Sequence, residues 1–157
     1  MVAGEITRES WHVFAIRSVA KPFVHRILRT EKACMNSPSS VPGMSLLNAV
    51  VSGLQEVKGK QITILDLREI PHAVAAWFVV AHGTSRTQVE ALAQSVEKVT
   101  FEQMDEKPWG KQGLRNGEWA ILDYSDIVVH VFHQEARQRY ALEELWGDAN
   151  IETLEEV

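Results

Sequence analysis

Two aspartates, Asp123 and Asp126, flank the dipeptide Tyr124-Ser125, and of all the acids in the chain they come nearest to a catalytic pair. Carboxylates that share metal ions or trade a proton must point to one place. On a strand that requires a spacing of two, because side chains alternate between faces. These two stand three apart across a turn, and their simpler reading is as turn residues that accept nearby backbone N–H groups. Asp66 closes an earlier strand with no local partner. His130 and His133 stand three apart at a strand end, where side chains diverge, and no third ligand is evident, whereas zinc takes three or four. Cys34 lacks a neighbouring histidine that would favour its thiolate. Residue types able to do chemistry are present, but their spacing argues for binding rather than catalysis.

The elements that hold these residues can be read in order. Ser45 can cap a helix whose apolar positions are Leu46, Leu47, Val50, Leu54 and Val57, with Gly59 beyond its end. Gln61–Leu67 alternates with β-branched residues and predicts a strand. Ala76–Ala81 is almost continuously apolar and predicts a strand buried on both faces. Thr84 or Ser85 caps the next helix, with Val89, Leu92, Ala93, Val96 and Val99 inward. Lys107–Asn116 is a loop or short edge strand. Glu118–Asp123 and Asp126–Phe132 form a hairpin about Tyr124-Ser125. Gln134–Trp146 predicts one closing helix, with Arg139 and Glu143 as i,i+4 partners. Alternating helices and strands give an α/β sandwich: a mixed β-sheet with flanking helices.

The hairpin separates into faces of unlike character. Ile127, Val129 and Val131 are wholly aliphatic and predict core. Trp119, Ile121 and Asp123 on one strand lie beside Asp126, Val128, His130 and Phe132 on the other. A set holding a tryptophan, a histidine and two aspartates suits a face that meets a partner; Tyr124, on the other side of the strand with Ala120 and Leu122, is a candidate contact beside it, since Trp and Tyr are favoured interface anchors. The competing reading has Trp119 half-covered by the closing helix.

Composition bounds the rest. A chain of 157 residues with 45% hydrophobic residues can bury one sizeable core. A single cysteine excludes an internal disulfide and fits a reducing compartment. No segment reads as a membrane span; the apolar run Ile70–Ser85 is too short and holds Pro71 and Gly83. Residues 1–43 carry six Lys/Arg against three Glu, while the remainder carries ten against eighteen Asp/Glu. An acidic body is a poor ligand for phosphate backbones and suits a basic protein. The Pro/Ser/Gly-rich stretch 36–43 reads as a joint, so that 1–43 is an extension, 44–147 the domain and 148–157 an acidic, loosely ordered tail. Within the extension, Ser10–Met35 has basic helical periodicity interrupted by Pro22.

The hairpin and closing helix resemble the ribosomal silencing factors, the Iojap-like group. That family carries W-x-x-x-D-Y-G-D-x-x-V-H-x-F followed by R-x-x-Y-x-L-E-x-L-W. The matching residues are Trp119, Asp123, Tyr124, Asp126, Val129, His130 and Phe132, then Arg137, Tyr140, Leu142, Glu143, Leu145 and Trp146. Ser125 departs from the family's glycine, and Ala75-Ala76 stands where an acid commonly precedes the aromatic Trp77. The resemblance, over residues 44–147, implies a fold similar to nucleotidyltransferases but lacking their catalytic carboxylates; Gly83-Thr84-Ser85 faintly echoes their Gly-Ser loop. It implies a cytoplasmic factor, or an organellar one if residues 1–43 are a transit segment. It implies no cofactor, no membrane and little direct nucleic-acid contact. Its implied partner is the large ribosomal subunit, met through the basic protein numbered fourteen in that subunit, with small-subunit joining blocked. A homodimer in the free state stays open. So do two alternatives, a nucleotide-handling enzyme and a generic protein-interaction domain, because fold alone does not assign function.

Overall fold

The structure, a computed structural model, describes residues 42–155. The basic periodic segment Ser10–Met35 and Cys34 lie outside the described residues. Helix α1 spans Pro42–Glu56, strand β1 Lys60–Asp66, strand β2 Trp77–Gly83 and helix α2 Arg86–Met104. Then follow β3 (Gly110–Gln112), β4 (Trp119–Asp123), β5 (Ile127–His133), α3 (Gln134–Tyr140), α4 (Leu142–Leu145) and β6 (Asn150–Thr153).

The six strands form one sheet in the order β3-β4-β5-β2-β1-β6. Only β2 and β5 run parallel, in register from Trp77 opposite Ile127 to Gly83 opposite His133; the other neighbours are antiparallel. The sheet is therefore mixed, as the sequence predicts. All seven residues of β2 are buried, and so are six of the seven in β5. A strand apolar on both faces needs cover on both.

One face is covered by α1 and α2. Leu47, Val50 and Leu54 of α1 join Val89, Leu92, Ala93 and Val96 of α2 over Trp77, Val79, Ala81, Ala120, Leu122, Tyr124, Ile127, Val129 and Val131. Ser85 caps α2, its side chain accepting from the Gln88 N–H. The two helices touch at Gly53, where a Cβ would stand 2.7 Å from the Cα of Val96. The opposite face is covered by α3 and α4.

Four expectations are corrected. Helix α1 begins at Pro42 rather than at Ser45, inside the stretch read as a joint, because proline's fixed φ suits a first helical turn. The left-handed residue beyond α1 is Lys58 (φ 55°), while the Gly59 N–H closes onto the Leu54 carbonyl at 2.8 Å. The closing helix is two short helices, because Ala141 is left-handed (φ 43°) and ends α3. The acidic tail is not loose over its first half. Asn150–Thr153 pairs with β1, and the Leu154 N–H donates to the Ile62 carbonyl at 2.8 Å while its side chain packs on the core. Without it β1 would be a bare edge with unpaired backbone groups. Lys107–Asn116 resolves as a loop around the edge strand β3.

Gly53→Ala is expected to force α1 and α2 apart and to destabilise the domain by about 1–3 kcal/mol. A urea midpoint unchanged from the parent would contradict so close a helix contact.

Candidate partner-binding site

The hairpin holds the predicted site residues in place through its backbone. The Tyr124 N–H donates to the Ile127 carbonyl at 2.8 Å, so the loop residues are Ser125-Asp126, one position later than predicted. Ser125 sits at φ 74°, where the family pattern has glycine. The Asp123 Oδ1 accepts the Ser125 N–H at 2.8 Å and steadies that conformation. The backbone carbonyl of Asp126 accepts from both Ala76 and Trp77 N–H groups, at 2.9 and 3.0 Å, and so ties the tip to the start of β2. Asp123 thus serves the turn through its side chain and Asp126 through its backbone.

Register gathers the predicted face. Trp119 lies opposite Phe132, Ile121 opposite His130 and Asp123 opposite Val128. The indole of Trp119 stacks on Phe132 at 4.9 Å between ring centres and lies against Tyr140 at 4.9 Å. Its Nε1–H points to His130 Nδ1 at 3.4 Å. That arrangement makes Nδ1 the acceptor and puts the imidazole proton on Nε2. Phe78 meets His130 edge-on at 4.8 Å, and Trp146 meets Phe78 edge-on at 5.5 Å. The loop leading into β4 is drawn tight as well: at Gly113 (φ 75°) a Cβ would stand 1.7 Å from the Trp119 carbonyl oxygen.

Burial then divides the predicted residues. Trp119, Ile121 and Asp123 are half-buried and Asp126 is exposed. Val128 and His130 are buried. Tyr124 points the other way into the α2 layer, its hydroxyl 2.9 Å from Thr100 Oγ1. Burial pushes its phenol up to about 12. All three are set back from the surface, Tyr124 beneath α2 and the other two because β5 is covered on both faces, so that only the β4 side of the hairpin remains open. The competing reading of Trp119 as half-covered by the closing helix holds as well, through Tyr140.

His130 is a neutral core histidine. Burial alone drives its pKa down to about 3. Asp66, the lone carboxylate at the end of β1, is held below the usual range by hydrogen bonds from Arg68, whose guanidinium also lies over Trp77 at 5.0 Å. Among the described residues, no group of three or more His, Cys, Asp and Glu is placed to hold a metal ion.

Sequence reasoning missed the role of Arg137. Its guanidinium, nine-tenths buried, bonds Glu143 through Nε at 2.9 Å, the Gln61 carbonyl at 2.7 Å, His82 Nδ1 at 3.0 Å and Thr63 Oγ1 at 3.0 Å. A bulge in β1 between Lys60 and Thr63, with Gln61 at φ 45°, turns those carbonyls toward it. Arg139, expected to pair with Glu143, pairs with Glu118 at 2.9 Å instead. The break at Ala141 takes Glu143 out of helical register with Arg139 and delivers it to Arg137. The only signal in the sequence was the arginine that opens the R-x-x-Y pattern.

A family described as "ribosomal silencing factor during starvation" matches residues 40–157. The chain belongs to that family. The match begins before Met44 and runs through the acidic tail, so it is wider than the resemblance read from the motifs. The ribosomal silencing factor RsfS of Halalkalibacterium halodurans is 38% identical over 112 residues, 71% of this chain and 94% of that protein. RsfS of Bacillus subtilis is 34% identical, covering 71% and 92%. The chloroplastic protein Iojap of Zea mays is 26% identical over 68% of this chain and 45% of its own length. A crystal structure from Chromobacterium violaceum superposes with a TM-score of 0.63 at 35% identity, covering 66% of this chain and 85% of the other. A second, from Bacillus halodurans, gives 0.60 at 33%, covering 71% and 98%.

Two outcomes follow from this geometry. His130 binds its proton far more weakly folded than its ordinary value of 6.5, so the unfolded chain takes up the proton first on acidification. Its share of stability is whole above that value and is lost as the pH falls toward about 3, at roughly 1.4 kcal/mol per unit. Urea midpoints at neutral and mildly acidic pH should fall along that slope, and His130→Gln should flatten it. Ser125→Gly, which removes the cost of a side chain at positive φ, should stabilise the hairpin by about 0.5–1 kcal/mol. A loss of stability would show that the Ser125 conformation is not strained.

Proposed function

We propose that the protein is a non-enzymatic factor that binds the large ribosomal subunit and, by occupying its joining surface, keeps the small subunit away. The observation that carries this reading is the half-open aromatic anchor Trp119, flanked by Ile121 and Asp123 on the open side of the hairpin and by exposed Asp126 at its tip, in a chain of the silencing-factor family. A large aromatic supported from below by Phe132 and Tyr140 is pre-organised for burial against a partner. The partner is the basic protein numbered fourteen of that subunit. The acidic balance of the chain, −5 overall, favours such an encounter. A factor that binds only the free subunit withdraws it from joining by mass action. The site of action is the cytoplasm; no helix among the described residues is long and apolar enough to cross a membrane. No step calls for a cofactor.

Co-sedimentation with separated subunits tests the proposal. The protein should pellet with large subunits and not with small ones; pelleting with neither, or equally with both, rejects it. Ile121→Arg tests the face, because Ile121 is half-exposed and a long arginine side chain there can reach solvent with its charged head. We expect near-parental melting and at least roughly thirtyfold weaker binding, the scale of a hot-spot residue. Unchanged binding would place the partner elsewhere on the molecule.

A further inference from the structure

The sequence has one Asn-Gly pair, Asn116-Gly117, in the loop between β3 and β4. The fold demands the glycine. Gly117 is buried and sits at φ 57°, in the left-handed region, and a Cβ there would stand 2.6 Å from the Arg86 Cβ and 3.0 Å from the Arg86 Cα. Close packing of this loop on α2 therefore places a residue with no side chain directly after an asparagine. The consequence is chemical. In most sequences a Cβ hinders an asparagine carboxamide from approaching the backbone nitrogen that follows it; after Asn116 there is none.

The carboxamide is free to make that approach. Asn116 is exposed, and among the described residues no hydrogen bond holds its side chain. The other described asparagines are placed differently. Asn48 lies inside α1 and precedes Ala49, while Asn150 pairs with β1 and precedes the β-branched Ile151. In both, secondary structure fixes the backbone and the next residue carries a Cβ. The surroundings of Asn116 are also electrostatically uneven. It lines a cleft of about 350 Å³ with Arg86, Arg115, Glu90 and Glu118. Both acids have partners, Glu90 in Gln94 and Glu118 in Arg139, whereas neither arginine forms an ion pair among the described residues. A carboxylate arising at position 116 would enter a cleft that holds two unmatched cations.

We propose that Asn116 is a site of spontaneous deamidation, which turns a neutral residue of this loop into an acid. The Gly117 nitrogen loses its proton to solvent and bonds to the Asn116 Cγ; the Cγ–Nδ2 bond breaks, and Nδ2 leaves as ammonia after taking up a proton. Water then opens the cyclic imide, at Cγ to give aspartate or at the Asn116 backbone carbonyl to give isoaspartate. Only water is consumed, and the rate rises with pH because the nitrogen must first lose its proton. The net charge moves from −5 to one unit more negative, three residues before Trp119. The test is storage of the full chain under native conditions at neutral and mildly alkaline pH, then cleavage after lysine and mass spectrometry. Fragment 112–157 holds Asn116 and Asn150, which fragmentation tells apart. Asn116 should gain the mass of one amide-to-acid conversion at least roughly tenfold faster than Asn48 or Asn150, and faster at the higher pH. Asn116→Gln, a surface change that leaves the loop backbone alone, should abolish the gain in that fragment. The proposal fails if Asn116 stays intact in the folded chain, if it converts only in urea, or if Asn48 or Asn150 converts as fast. The experiment contains no ribosome, so its failure is distinct from failure of the subunit-binding reading.

Discussion

The parallel pairing of β2 with β5 is the constraint on which the architecture rests. Two neighbouring strands that are apolar on both faces cannot be stable with one face in water. They require α1 and α2 on one side and the chain after β5 on the other. Parallel neighbours also require a long connection, and here it carries α2, β3 and β4. The hairpin is the end of that connection, so the open face of β4 exists because the crossover returns to β5 from the far side.

Covering the second face falls to short elements. Helices α3 and α4 are too brief to be stable on their own, and their hold comes from side chains. Trp146 and Tyr140 extend an aromatic layer over Phe78, Phe132 and Trp119. Arg137 adds a polar clamp, joining α3 to the bulge of β1, to His82 of β2 and to Glu143 of α4. A buried guanidinium is tolerated because its hydrogen bonds are nearly all satisfied, in part by backbone carbonyls that the bulge turns toward it. One helix, α3, thus supplies both the support of Trp119, through Tyr140, and the clamp on β1 and β2, through Arg137.

Much of this was legible in residue order. Continuous apolarity marked β2 as doubly buried, and periodicity picked the inward face of α2 residue by residue. Spacing alone argued against a carboxylate pair at Asp123 and Asp126, and the structure places one at the turn and the other at the exposed tip. Burial divides the candidate face. Period two gathered Trp119, Ile121 and Asp123 on one side, but no local pattern tells whether a mixed face meets a foreign partner or the chain's own closing helices. Val128 and His130, on that face, are buried, and Tyr124 is buried toward α2.

The sequence by itself determined the class of fold, the order of its main elements from α1 to β5, the hairpin and the family, because these depend on short-range periodicity and on motifs within one stretch of chain. Tertiary structure decided what long-range contact must decide. It made the acidic tail a strand, since only a bare edge at β1 gives Asn150–Thr153 something to pair with. It broke the closing helix at Ala141 and sent Glu143 to Arg137 and Arg139 to Glu118. It set which aromatic stays half-open, because burial is a property of the covering elements and not of the residue that is covered.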